Sequence, residues 1–153
     1  MKTILLASTL LLGAIAVAPT AEAQNVGDAA PAFSYPALGG GQISLADHSG
    51  KVVFVFLFGN TCPFCLAIGN QTESEINAVF GSNPSFQAVG LDLWTSSSTT
   101  ASVTSFRNRT GITYPLGLQA GGMASLYGTT YDRLLVIGAD GTIRYKGSSN
   151  VSS

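Results

Sequence analysis

Charge is scarce in this chain: seven Lys and Arg, eight Asp and Glu and one His among 153 residues, with a formal net charge of −1. Its arginines (Arg107, Arg109, Arg133 and Arg144) are scattered rather than grouped. Nucleic acid and anionic membrane surfaces need clustered positive charge, so neither is an expected partner. Histidine occurs once, as His48, and cysteine twice, as Cys62 and Cys65. A structural zinc site takes four ligands, which this set does not supply, so no metal is expected. A disulfide framework is excluded too, because a staple works by closing a long loop and a two-residue spacer closes almost nothing. The length suits one domain.

What the chain does have is apolar material, 46% of its residues. Part of it belongs to a targeting segment. Lys2 gives a minimal positive start, Ile4 to Ala18 is apolar but for Ser8, Thr9 and Gly13, and Ala21-Glu22-Ala23 offers small residues at a cleavage site. Residues 1–23 are therefore expected to be a cleaved signal peptide, with the mature chain starting near Gln24. The apolar run falls short of the roughly 18–20 residues that span a bilayer, and no later segment qualifies. The protein is thus expected to be exported, periplasmic or secreted, without stable membrane insertion after cleavage.

Along the rest, Phe33 to Leu38 and Gln42 to Leu45 flank Gly39-Gly40-Gly41 and predict a β-hairpin. Val52 to Phe58 is seven consecutive apolar residues, the pattern of a central strand buried on both faces. Pro63 to about Phe80 predicts a helix, with Pro63 in its first turn and Leu66, Ile68, Ile76, Val79 and Phe80 on its apolar side. Phe86 to Leu93 reads as a strand, and Ala101 to Thr110 as a helix ended by Gly111. Tyr114 to Leu116 is a short extended piece, and Gly122 to Tyr127 one or two helical turns. Leu134–Ile137 and Thr142–Tyr145 around Asp140-Gly141 predict a closing hairpin. Strands alternating with helices imply an α/β fold with a central mixed sheet flanked by helices. Little sequence follows Lys146, so a final helix over the last strands is expected to be missing.

The chemistry sits in Cys62-Pro63-Phe64-Cys65, where the apolar strand gives way to the helix. A thiolate, not a thiol, attacks a disulfide. At a helix start, first-turn N–H groups and the helix dipole favour negative charge on Cys62. Cys65, one turn along, is placed to attack the resulting mixed disulfide. The first cysteine is expected to be exposed and the second shielded. The catalytic residues are therefore Cys62 and Cys65, with no cofactor beyond their own redox-active disulfide.

These residues resemble the thioredoxin superfamily, in particular the exported redoxin branch of TlpA, ResA and AhpC/TSA-type proteins. Gly27-x-x-x-Pro31-x-Phe33 is similar to that branch's lead-in. Ile43-Ser44-Leu45 through Gly50-Lys51-Val52-Val53 is similar to its approach to the central strand, and Val136-Ile137-x-x-Asp140-Gly141-x-Ile143 to its closing hairpin. The resemblance runs from Gly27 to about Gly147. It implies a thioredoxin-like domain over 24–153 with an N-terminal β-hairpin extension, exchanging dithiol for disulfide with cysteine-containing proteins and an upstream electron donor or acceptor.

Three positions depart from that pattern. Thr61 precedes the first cysteine where many thioredoxins carry Trp. Phe56 stands six before Cys62, where thioredoxin has a buried Asp that assists proton transfer. Around Tyr131-Asp132-Arg133 the family's cis-proline is replaced, and a trans bond is expected at Asp132, since a non-proline cis bond costs about 3–4 kcal/mol. Asp132 near the sulfurs would raise a thiol pKa and Arg133 would lower it; the sequence leaves open which of them faces the cysteines. Two other functions stay open: a peroxiredoxin-like thiol peroxidase, and a non-enzymatic binding domain that keeps the fold. His48 in a loop is expected to be a surface residue, and Trp94 and Tyr131 packing residues that border the site.

Overall fold

The computed structural model describes residues 24–148. The predicted signal peptide and the last five residues lie outside them. The predicted hairpin forms from β1 (Ser34–Pro36) and β2 (Gln42–Ser44), paired antiparallel around the three glycines. Gly39, Gly40 and Gly41 all take positive φ, a conformation open to residues without a Cβ. A 3-10 turn, Leu45–His48, leads on to the central strand.

That strand, β3 (Val52–Phe58), has the bounds the apolar run predicts, and every residue after Val52 is buried. It pairs in parallel with β4 (Phe86–Asp92) and antiparallel with β6 (Arg133–Ile137). The sheet is completed by β5 (Leu116–Gly117) beside β4 and β7 (Ile143–Ser148) beside β6, giving the order β5-β4-β3-β6-β7. Side chains alternate along a strand, so β3 feeds two cores. Val53, Val55 and Leu57 pack with Phe33, Ile43, Met123 and Tyr127 on one face. Phe54, Phe56 and Phe58 pack with Phe106, Ile112 and Cys65 on the other.

The long helix predicted from Pro63 is present but broken in character. It runs as α1 (Pro63–Gln71), a π-helical stretch Thr72–Asn77, and a last turn α2 (Ala78–Phe80). The wider π turn changes the helix phase, so the apolar side drawn from sequence does not hold to its end. Val79 is 60% and Phe80 48% exposed. Thr72 anchors the break: its hydroxyl donates to the Gly69 carbonyl at 2.8 Å and meets the buried Tyr114 hydroxyl at 2.6 Å. Helix α3 (Thr100–Thr110) begins with a Thr99–Ser102 capping box and ends at Gly111 in the left-handed region, as the glycine predicts. It crosses α1 so closely that a Cβ on Gly69 would lie 2.5 Å from Thr110 Cγ2. On the opposite face sits α4 (Gly122–Leu126).

The N-terminal extension does more than form a hairpin. Gly27 and Asp28 exchange backbone hydrogen bonds with Ile143 on β7, and Ala29 bridges Thr142. Phe33 then enters the core, and the chain reaches the far side of the sheet, where Leu38 donates to the Leu116 carbonyl and Ala37 bridges Gly117. Among the described residues no helix follows β7, and none is long and apolar enough to cross a membrane.

Candidate active site

β3 ends at Phe58, and Gly59-Asn60-Thr61 turns the chain into α1. Cys62 is the residue that caps α1: its Sγ accepts the Cys65 N–H at 3.3 Å, while Pro63 fills the first helical position. Cys65 lies one turn in, and its Sγ accepts the Gly59 N–H at 3.4 Å. Both are free thiols.

Cys65 is fully buried, as the sequence predicts. Burial pushes its thiol up to about 12, and the neighbouring Cys62 and the Asp132 charge add to the rise, against the Gly59 N–H, which lowers it. A thiol so placed keeps its proton through the physiological range. Cys62 does not match expectation: it is only 3% exposed. It joins the apolar cluster below the sheet because the tight Gly59–Cys62 turn, closed by a Cys62 N–H to Gly59 carbonyl bond of 3.0 Å, folds it back toward β3. The exposed members of the motif are Pro63 and Phe64, the latter at 72%.

The neighbours follow the three departures. Phe56 is wholly buried, its ring tilted against those of Phe58 and Phe106, so no carboxylate stands at that position of β3. Thr61 is exposed. At the replaced proline all peptide bonds among the described residues are trans, and Asp132 adopts φ 61°, held by its N–H donating to the Leu57 carbonyl at 2.8 Å. Of the two charges, that of Asp132 adds the smallest part to the rise at Cys65, while Arg133 donates from its guanidinium to the Asp132 carbonyl at 2.8 Å.

Trp94 and Tyr131 do border the site. Their rings meet edge to face at 5.6 Å, and Trp94 covers Gly59 so tightly that a Cβ there would lie 2.5 Å from its ring. Sequence reasoning missed the group beneath them. Asp92, at the end of β4 and fully buried, accepts the Asn60 amide at 2.7 Å and the Trp94 N–H at 3.2 Å. Burial raises its carboxyl above the usual range, and these hydrogen bonds oppose the rise. Asn60 also donates to the Ser97 carbonyl at 3.2 Å, so the cysteine turn is tied to the loop after β4. An acid inside an apolar run, Val89-Gly90-Leu91-Asp92-Leu93, was the available signal. His48 lies before β3, at the opposite end of that strand from the cysteines. Among the described residues no group of three or more His, Cys, Asp or Glu could hold a metal ion.

The sequence profile described as the AhpC/TSA family matches residues 26–146. No curated protein sequence matches the chain. Among solved structures, it is similar to a putative protein disulfide isomerase from Bacteroides thetaiotaomicron, with 28% identity, a TM-score of 0.73, and 82% of this chain and 80% of that one covered. A putative thiol:disulfide interchange protein DsbE from Chlorobium tepidum shares 21% identity at a TM-score of 0.70, covering 82% and 86%. A secreted Mycobacterium tuberculosis disulfide oxidoreductase, described as homologous to E. coli DsbE, shares 23% at 0.59, covering 72% and 79%.

Proposed function

Since the chain belongs to the AhpC/TSA family and has a thioredoxin-like fold, we propose that it is an exported thiol–disulfide oxidoreductase that uses Cys62 and Cys65 to reduce disulfides in partner proteins. The observation that carries this reading is the asymmetry of the pair. Both sulfurs are buried and both accept a backbone N–H, but only Cys62 stands at the helix cap, whereas Cys65 lies one turn in, where burial pushes its thiol up to about 12.

In the reducing direction, Cys62 attacks one sulfur of the partner's disulfide and releases the other as a thiolate. Cys65 then attacks Cys62 in the mixed disulfide, forming Cys62–Cys65 and freeing the second partner thiolate. Two electrons pass to the partner, and an upstream donor must return them. The periplasm or the cell exterior is where disulfide substrates persist, and the signal peptide predicted from the sequence of residues 1–23 is consistent with that location. With Cys62 only 3% exposed, the turn that holds it must yield for a partner disulfide to reach its sulfur.

The experiment is a trap. Cys65→Ala, expressed in the native compartment, is expected to accumulate a mixed disulfide with its partner through Cys62, visible on a non-reducing gel and absent in the Cys62→Ser/Cys65→Ala double variant. Failure to trap any partner, together with inability of the wild type to reduce a model disulfide, would overturn the proposal. A reduction potential well above about −200 mV would reverse the direction of transfer.

The family match itself favours one competing reading, peroxide reduction at Cys62. The Pro-x-x-x-Thr-x-x-Cys pattern of those enzymes is absent, since Thr61 abuts Cys62, and Arg133 is engaged by a backbone carbonyl. Rapid thiol loss with hydrogen peroxide, abolished in Cys62→Ser, would restore that reading.

A further inference from the structure

Exchange at Cys62 needs the incoming disulfide to reach its sulfur, and the Gly59–Cys62 turn keeps that residue buried. We propose that Asn60, the second residue of this turn, is a positioning residue that sets how often Cys62 is accessible: its amide latches the turn to the end of β4, and its release opens the site. The inference rests on the oxidoreductase reading above and adds the step that precedes attack.

Two kinds of bond hold the turn. Those within it travel with α1: the Cys62 N–H donates to the Gly59 carbonyl at 3.0 Å, and the Gly59 N–H to Cys65 Sγ at 3.4 Å. The bonds of the Asn60 side chain cross to another part of the chain. Its Nδ2 donates to Asp92 Oδ2 at 2.7 Å and to the Ser97 carbonyl at 3.2 Å. Asp92 is a fixed anchor for them. It also accepts the Trp94 N–H at 3.2 Å and the Ser98 hydroxyl, and Ser98 in turn accepts the Gln119 N–H at 2.8 Å. The Trp94 ring covers Gly59, so the latch and the ring over the turn hang from one carboxylate.

Asn60 is itself 3% exposed, and its Oδ1 is buried without a hydrogen-bond partner. An unpaired buried acceptor works against the closed turn, and opening returns it to water. The amide is thus held at one end and opposed at the other, which suits a contact that releases. A site that reacts only when open is slowed in proportion to the open fraction. Asn60 therefore protects Cys62 from disulfides in bulk solution, and a partner that binds the open turn lifts the restraint.

Iodoacetamide reads accessibility without redox turnover. Alkylation of Cys62 in the reduced protein is followed by peptide mass spectrometry, on the high-pH plateau of the rate where thiol ionisation no longer enters. The wild type is expected to react at least about tenfold more slowly than the same chain unfolded in urea, and its rate should not change in urea below the unfolding transition, as local opening requires. Asn60→Ala is expected to react about tenfold faster than wild type, the effect of losing one hydrogen bond to a charged group, and with the same indifference to low urea. A wild-type rate equal to that of the unfolded chain overturns the proposal, whether or not the variant folds. An unchanged rate in folded Asn60→Ala overturns it too, as does a rate that climbs with urea along the global unfolding curve, which would make Asn60 a residue of general stability. The expected alkylation rates in a protein that traps no partner and reduces no model disulfide uphold the latch and overturn the oxidoreductase reading instead.

Discussion

Cys65 keeps its proton up to about pH 12 in the folded protein, against an ordinary thiol value of 9.0, mainly because it is buried. Below pH 9 folded and unfolded chains are both protonated at this position and the group is neutral in its effect. Above it, the unfolded chain releases a proton that the folded chain retains, so the stability of the reduced protein falls as pH rises from 9 toward 12. Thermal unfolding of the reduced protein should show a steeper decline across that window than Cys65→Ala; equal slopes would show that the thiol is not desolvated. A second residue test concerns the turn. In Gly59→Ala the new Cβ would press on Trp94 at 2.5 Å, and overpacking of this kind costs about 1–3 kcal/mol. Because Trp94 is the sole tryptophan, its emission should shift as the melting point drops; an unmoved spectrum at unchanged stability would show a turn that yields freely. At this scale the two sulfurs were legible from their spacing and the strand before them. The depth of Cys62 was not, because it depends on how tightly Gly59–Cys62 folds back, and Asp92 became meaningful only once Asn60 was seen to reach it.

Element boundaries were largely written in the chain: β3 in its unbroken apolar run, the end of α3 in Gly111, and the glycine turn in its three residues. The exception is the helix after Cys62. Nothing local in Thr72–Asn77 announces a π turn, because the partner that stabilises it, the Tyr114 hydroxyl, lies 42 residues away. Tyr114→Phe removes that hydroxyl from a buried pair and should cost roughly 0.5–1.5 kcal/mol in urea unfolding. A neutral result would show that the Thr72 to Gly69 bond alone holds the break. Reduction of a model disulfide by the same variant should stay near wild type, since the Cys62 end of α1 is anchored separately by Pro63 and Gly59.

Across the whole molecule the alternation of strands and helices gave the layers, whereas no local pattern carries the order β5-β4-β3-β6-β7. The sequence also hid how the segment before β1 is used. Residues 27–30 show no strand periodicity, yet they pair with β7, and the same short stretch of chain ends by pairing beside β5. Phe33, the pin between those two attachments, is 6% exposed; Phe33→Ala should lower stability by about 3–5 kcal/mol in chemical unfolding, and a loss below 1 would mean the segment is held by its backbone bonds alone. One strap therefore guards both margins of the sheet. If it loosens, two rows of unpaired N–H and C=O groups open together on opposite sides. A molecule with two sticky sides can add neighbours without limit, so strap release should lead to linear polymers rather than closed pairs.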